Sequence, residues 1–369
     1  MKTLFMLEYR KIRLLFIVFT LIHLTNCSSV QKVEIENFQG IIISNDSIDA
    51  YVKTKMEELK IPGASLAIIN KGKLVHHQTY GYANFEKKLK VTENTIFEGA
   101  SISKSVFSFF VMKYVEEGKL DLDKPLFKYL EYPDIAYDER YKKITARMVL
   151  SHRSGFPNWR ENEPDNKLKI KFEPGTNFEY SGEGYQYLAL VLKEIDGGNW
   201  TDLENEFQHK VAKPLKMEHS SFIPNENLEQ KKAEPYDKNN NWIDLKKNYW
   251  YKKDKGNFVS ASSIHTEPVD FSKWMIAVMN KEQLSKSSYD ELFKPHSTIT
   301  AENGITYFYS LGFASDSTKP ENTYYHSGSN DGFTCWYLIN TEKDWGFVVF
   351  TNSEYGIELG ENLFDYLRE

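Results

Sequence analysis

Strand-forming runs stand at both ends of this chain, around a long middle of helical periodicity, and that arrangement restricts the fold most. Residues 64–69 and 74–80 flank Asn70-Lys71-Gly72-Lys73 and predict a β-hairpin. Residues 307–313, 323–327, 333–339 and 346–351 read as successive strands, followed by a helix over 357–367. Residues 48–59 are helix-like, and 101–295 are mainly helical with long loops. Strands separated by so long a helical middle must close one sheet. The expected fold is therefore α+β: an antiparallel β-sheet flanked by helices, with a large, mainly helical inserted subdomain. One domain over 48–369 is expected, with 48–98 and 300–369 forming the sheet part and 99–299 the helical part.

The N-terminus carries Lys2, Arg10, Lys11 and Arg13, then an apolar run over 14–24 and Leu24-Thr25-Asn26-Cys27. A basic start and an apolar core of this length read as a secretory signal, too short for a comfortable membrane span. The last four residues resemble the end of a bacterial lipoprotein signal. That resemblance implies removal of residues 1–26, lipidation of Cys27 and a tether over 27–47. The folded part would then be exported and lipid-anchored at the cell envelope, periplasmic or outer-membrane-facing. An uncleaved hydrophobic anchor would also place it outside the cytoplasm.

The chain has two cysteines. With Cys27 lipidated, Cys335 has no partner, and its apolar run over 333–339 predicts a buried strand residue. The fold must then stand without disulfides, which 369 residues less the signal allow. Net charge is −6, from 46 basic and 52 acidic residues, with no basic patch interleaved with aromatics, so nucleic-acid binding is not expected. The Lys- and Asn-rich stretch 231–255 reads as a solvated surface loop bordering the site rather than a binding tail. No repeat is evident. Without a His-x-His or His-Glu-x-x-His string no metal or cofactor is expected, and without Gly-x-Ser-x-Gly the usual α/β-hydrolase signal is missing.

Three short strings carry chemistry. In Ser101-Ile102-Ser103-Lys104 the serine and lysine share one face of a helix expected over 101–118, with Val106, Phe109, Phe110, Met112 and Val115 as its apolar side. A serine at a helix start has free backbone N–H groups beside it, suited to a developing oxyanion. A buried ammonium without a partner tends to discharge, so Lys104 could activate that hydroxyl. A second Ser-x-x-Lys, Ser29 to Lys32, falls in the polar N-terminal segment and reads as linker. Tyr180-Ser181-Gly182 adds a phenol able to move a proton, and His326-Ser327-Gly328 a strand that can lie against a carbonyl group.

The stretch from Phe97 through Asp123 resembles the serine β-lactamase and penicillin-binding-protein superfamily, most closely its class C β-lactamase, DD-peptidase and esterase branch. The likeness continues at Val149-Leu150-Ser151-His152-Arg153-Ser154-Gly155-Phe156-Pro157, at Phe172-Glu173-Pro174-Gly175-Thr176-Asn177-Phe178-Glu179-Tyr180-Ser181-Gly182, at Lys213-Pro214-Leu215-Lys216-Met217 and at Tyr325-His326-Ser327-Gly328. It covers nearly everything from residue 48 onward. The resemblance implies that Ser101 is the nucleophile, with Lys104 and Tyr180 in proton transfer, either of the two being the general base. It also implies that the N–H groups of Ser101 and Ser329 form the oxyanion hole, and that Gly182, His326 and Gly328 face the substrate.

Two positions depart from the family pattern. Gly182 stands where an Asn usually holds an acylamide, and His326 where a Lys usually supplies fixed positive charge. At His326 that charge should be weakened or pH-dependent. Both changes favour ester-like or unusual peptide substrates over β-lactams, and Gly182→Asn would be expected to raise β-lactam acylation. The expected function is a serine acyl hydrolase acting on an ester or a peptide or amide such as a D-amino-acid peptide. The alternatives are a β-lactamase or DD-carboxypeptidase proper, or a non-catalytic binder of peptidoglycan or a partner. The sequence leaves the oligomeric state open.

Overall fold

The structure, a computed structural model, describes residues 34–369, so the expected signal (1–26) and Cys27 lie outside the described residues. Thirteen strands are described, in chain order: Ile35–Glu36 (β1), Ile42–Ile43 (β2), Gly63–Asn70 (β3), Lys73–Asn84 (β4), Leu89–Lys90 (β5), Phe97–Glu98 (β6), His265–Thr266 (β7), Ser297–Thr300 (β8), Thr306–Tyr309 (β9), Ala314–Asp316 (β10), Thr323–Asn330 (β11), Phe333–Asn340 (β12) and Trp345–Thr351 (β13). Nine of them form one antiparallel sheet in the order β5-β4-β3-β13-β12-β11-β10-β9-β8. The expected α+β architecture is found. β13 from the C-terminal run inserts between β3 of the N-terminal hairpin and β12, pairing Ile69 with Gly346 and Ala64 with Thr351.

Every residue of β3, β12 and β13 is buried, because helices cover both faces. Leu66, Ile68, Leu338, Phe347 and Val349 pack with the helices Asn45–Leu59 and Gly356–Arg368. Ala67, Ile69, Tyr337, Ile339, Val348 and Phe350 belong to the larger core that holds the helices Ser103–Glu116 and Pro268–Met279. Two-sided burial is why these strands read as continuous apolar runs rather than alternating ones.

Three expected boundaries move. The tether cannot extend to residue 47, because β1 and β2 pair, Ile35 and Phe38 are buried, and the Phe38 ring meets Trp345 edge-on at 5.4 Å. The strand expected over 307–313 is two strands, β9 and β10, split at Gly312, whose φ is +84°. A Cβ there would lie 2.2 Å from Ser108 Oγ, so the break needs glycine for both conformation and space. The sheet also takes in β8, which starts at Ser297 rather than after 300. Among the described residues no helix is long and apolar enough to cross a membrane.

Candidate active site

The helix expected from residue 101 opens instead with a 3₁₀ turn, Ala100–Ile102, and becomes α-helical at Ser103. Ala100 has φ +45°, a left-handed conformation costly for a residue with a Cβ. It is held there because the Gly99 N–H donates to Ile264 O (2.7 Å) and the Ile264 N–H to Ser103 Oγ (3.0 Å). The turn leaves Ser101 partly exposed while Lys104 is 1% exposed. Lys104 Nζ lies 3.2 Å from Ser101 Oγ and donates to Ala261 O at 2.9 Å. Among the described residues no carboxylate pairs with it, and burial pulls its ammonium down to about 7. Near neutrality much of the amine is therefore a free base beside a serine hydroxyl.

Tyr180 joins this pair. Its ring centroid is 4.6 Å from Lys104 Nζ, and its phenol sits beside the Ser101 side chain. Burial raises the phenol, the Ser101 contact only partly opposing it, so Tyr180 is neutral and can donate a proton. The next residue fixes its place: Ser181 caps the helix Gly182–Ile195 by accepting from Gly184 N–H (2.9 Å) and donates to Pro157 O (2.9 Å). The Ser181 N–H donates to His152 Nδ1 at 3.0 Å, and the His152 ring packs on Tyr180 at 4.2 Å. His152 is fully buried and held neutral, by burial first and then by Lys104 and His326.

His326 and Gly328 lie on β11. The His326 Nδ1–H donates to Ser327 O (2.6 Å), and Nε2 accepts from the Tyr309 hydroxyl at the end of β9 (3.0 Å). Burial, with Lys104 adding to it, lowers the imidazole to about 3. The sequence led us to expect a weakened or pH-dependent charge there; the ring is neutral across the physiological range, with both nitrogens engaged. Gly328 closes the strand against the turn that carries Ser101. A Cβ at this position would lie 2.3 Å from Gly99 O, 2.7 Å from Cys335 Sγ and 3.1 Å from Ala100 Cβ. Cys335 is buried as expected, its thiol donating to the same Gly99 carbonyl.

Gly182 is covered by protein. A Cβ there would lie 2.7 Å from the Trp159 ring and 3.0 Å from Asn158 O. Trp159 in turn meets Trp250 at 5.5 Å, on the short helix Tyr249–Asp254. That helix belongs to the stretch expected to be a solvated loop, but the stretch is anchored at several points. Lys253 pairs with Glu161 (2.6 Å), Asn248 bonds Asp331, and the mostly buried Lys232 pairs with Glu98 (3.1 Å). Gly182→Asn should therefore displace Trp159 and lower Tm by an amount equivalent to about 1–3 kcal/mol. Nitrocefin turnover should not rise in that variant. Unchanged Tm with faster nitrocefin turnover would show that the wall yields freely.

Among the described residues His219, Glu267 and Asp270 bring possible ligand atoms within 4.8 Å of one another. Both carboxylates are already used. Glu267 caps the helix Pro268–Met279, and Asp270 pairs with Lys273 and accepts from the His219 N–H.

The chain belongs to the beta-lactamase family, whose model matches residues 48–369. It is similar to Protein flp of Staphylococcus aureus strain MRSA252, 27% identical over 344 residues, covering 87% of this chain and 66% of that protein, so it spans just under two thirds of that relative's length. In fold it is similar to the octameric penicillin-binding protein homologue from Pyrococcus abyssi (TM-score 0.71, 23% identity, 88% of this chain and 77% of the other). It is also similar in fold to the D-alanine carboxypeptidase AmpC from Burkholderia cenocepacia (TM-score 0.70, 17% identity, 88% and 100%).

Proposed function

We propose that this protein is a serine acyl hydrolase that prefers esters, or amides of neutral, apolar acyl groups, over β-lactams. The observation that carries the reading is the Lys104 amine, 3.2 Å from Ser101 Oγ and lowered to about 7. In this reading Ser101 Oγ attacks the substrate carbonyl as Lys104 takes its proton. The developing oxyanion lies between the N–H groups of Ser101 and Ser329, a pair of donors worth several kcal/mol of barrier. Tyr180 hands a proton to the departing alcohol or amine and regains one from Lys104, so the acyl-enzyme forms with no net proton change. Water then attacks the ester carbonyl by the reverse relay, releasing the acid and the Ser101 hydroxyl.

The surroundings favour uncharged substrates. Neutral His326 offers no cation to a carboxylate, and the place where an amide would grip an acylamide lies under Trp159. Polar groups of a β-lactam would exchange water for unpaired surface there, whereas a short acyl chain meets the Trp159–Trp250 wall. The test is intact-protein mass spectrometry after a fluorophosphonate, with the adduct mapped by peptide, alongside kcat/KM for a short-chain p-nitrophenyl ester and for nitrocefin. One adduct on Ser101 and faster ester turnover are expected. No adduct would make the protein a binding module, and faster nitrocefin turnover would make it a β-lactamase.

We further propose envelope anchoring through a lipidated Cys27, on the strength of the residues before it. Labelled palmitate should enter the expressed protein and fail to enter Cys27→Ala. Recovery of intact Met1 would mean an uncleaved segment.

A further inference from the structure

Three separate segments must meet for this site to work. They are the turn carrying Ser101, the end of β11 carrying Ser329, and the loop whose Ala261 carbonyl holds Lys104. One residue links all three: Asn330 lies on β11, and its side chain reaches β6 just before the turn and the loop beside Ala261. The Asn330 Nδ2 donates to Glu98 Oε2 at 2.7 Å and to Ser262 O at 3.3 Å, while its own backbone continues β11 from Ser329. Glu98 lies on β6, three residues before the nucleophile, and its other oxygen pairs with Lys232 at 3.1 Å. The Glu98 and Lys232 side chains are 13% and 10% exposed, so the pair is mostly withdrawn from water and breaking it by losing one partner is costly. The turn it precedes holds Ala100 at φ +45°, a conformation that persists only when its surroundings enforce it.

We propose that Asn330, held by the Glu98–Lys232 pair, is a positioning residue that sets the separation of the two N–H donors at Ser101 and Ser329 and locks the Lys104 acceptor loop to them. Gly328 brings β11 against Gly99 and Ala100, and Asn330 fixes how far along and how tightly that contact closes. A donor is needed at this position. An aspartate would set a second carboxylate against Glu98, and an apolar residue would leave Glu98 Oε2 without its donor.

The inference rests on the acyl-transfer reading, and its test includes an arm that needs no substrate. Asn330→Leu should lower kcat for a p-nitrophenyl ester about 10- to 100-fold, with KM within about twofold, as expected when donors to the transition state are misplaced. Asn330→Gln, which keeps the donating amide, should recover most of that loss. In Asn330→Leu, amide hydrogen exchange should quicken in the peptides covering 97–103 and 326–333 together. Wild-type kcat in Asn330→Leu, unchanged exchange in both peptides, or a Gln variant no better than Leu each overturns the proposal. Failure of the hydrolase reading shows elsewhere, as a wild-type protein that takes no fluorophosphonate, while the exchange arm still decides whether Asn330 holds the junction.

Discussion

Lys104→Met is expected to lower kcat for p-nitrophenyl esters by about 10²–10⁴-fold, the contribution typical of a positioned general base, and Ser101→Ala to abolish the covalent adduct altogether. The lysine variant should separate catalysis from stability. Lys104 is fully buried, with no carboxylate partner among the described residues, and burial brings it from its ordinary value near 10.5 to about 7. The folded state thus disfavours the charged form. Below pH 7 the whole cost of burying an ammonium is present; between 7 and about 10.5 the unfolded chain binds the extra proton, and wild-type stability rises with pH. Methionine removes that cost, of the order of a few kcal/mol, and leaves Ala261 O unpaired, which costs less. The variant should therefore melt above wild type at pH 6, with the gain shrinking as pH rises past 7. In wild type, kcat/KM should climb with pH through about 7 as Lys104 deprotonates. A flat profile across that range, or near-wild-type kcat in Lys104→Met, would remove the amine from the mechanism.

Gly328→Val is the second large effect. Even a Cβ at this position would lie 2.3 Å from Gly99 O and 2.7 Å from Cys335 Sγ, so β11 or the turn carrying Ser101 must move. Either shift separates the N–H of Ser329 from that of Ser101. We expect fluorophosphonate labelling of Ser101 to slow by about 10²-fold or more, and stability to fall by about 1–3 kcal/mol. Thermal melts and labelling rates on one preparation measure both. A labelling rate equal to that of wild type would mean that the gap between strand and turn is set elsewhere.

The sequence made the local part of this site legible. Ser101 and Lys104 are one helical turn apart, and Tyr180 is marked by the Pro-Gly-Thr string before it, so spacing together with the family resemblance of the surrounding strings brings these residues into view. Residues whose role depends on a distant partner stayed hidden. Lys232 reads as one of many surface lysines until Glu98, 134 positions earlier, is placed beside it. His326 reads as a titrating histidine because nothing in its neighbourhood of the chain announces the Tyr309 hydroxyl or the burial that neutralises it. Trp159 gave no signal at all, since its contact with Gly182 depends on how a long loop returns to the helix start. His152 stood inside a recognised string, but only the fold shows that its Nδ1 receives the Ser181 N–H. In the sheet, the longer strands were readable, whereas the short β5 and the edge strand β8 were not expected. The break at Gly312 was missed because its cause, Ser108, sits on another element.

The place of β13 between β3 and β12 also governs the order in which the molecule can assemble. Synthesis delivers β3 and β4 early, but the hairpin has no partner for its inner edge until Trp345–Thr351 emerges. Loop closure over so long a stretch is slow, and no disulfide is available to shorten it among the described residues. β11 is itself pinned through β12 to that late strand. The turn carrying Ser101 therefore waits for the last part of the chain before β11 closes against it. A polypeptide still being synthesised would carry Ser101 and Lys104 one helical turn apart, yet Ser329 could not be brought to them until the C-terminal strands had formed.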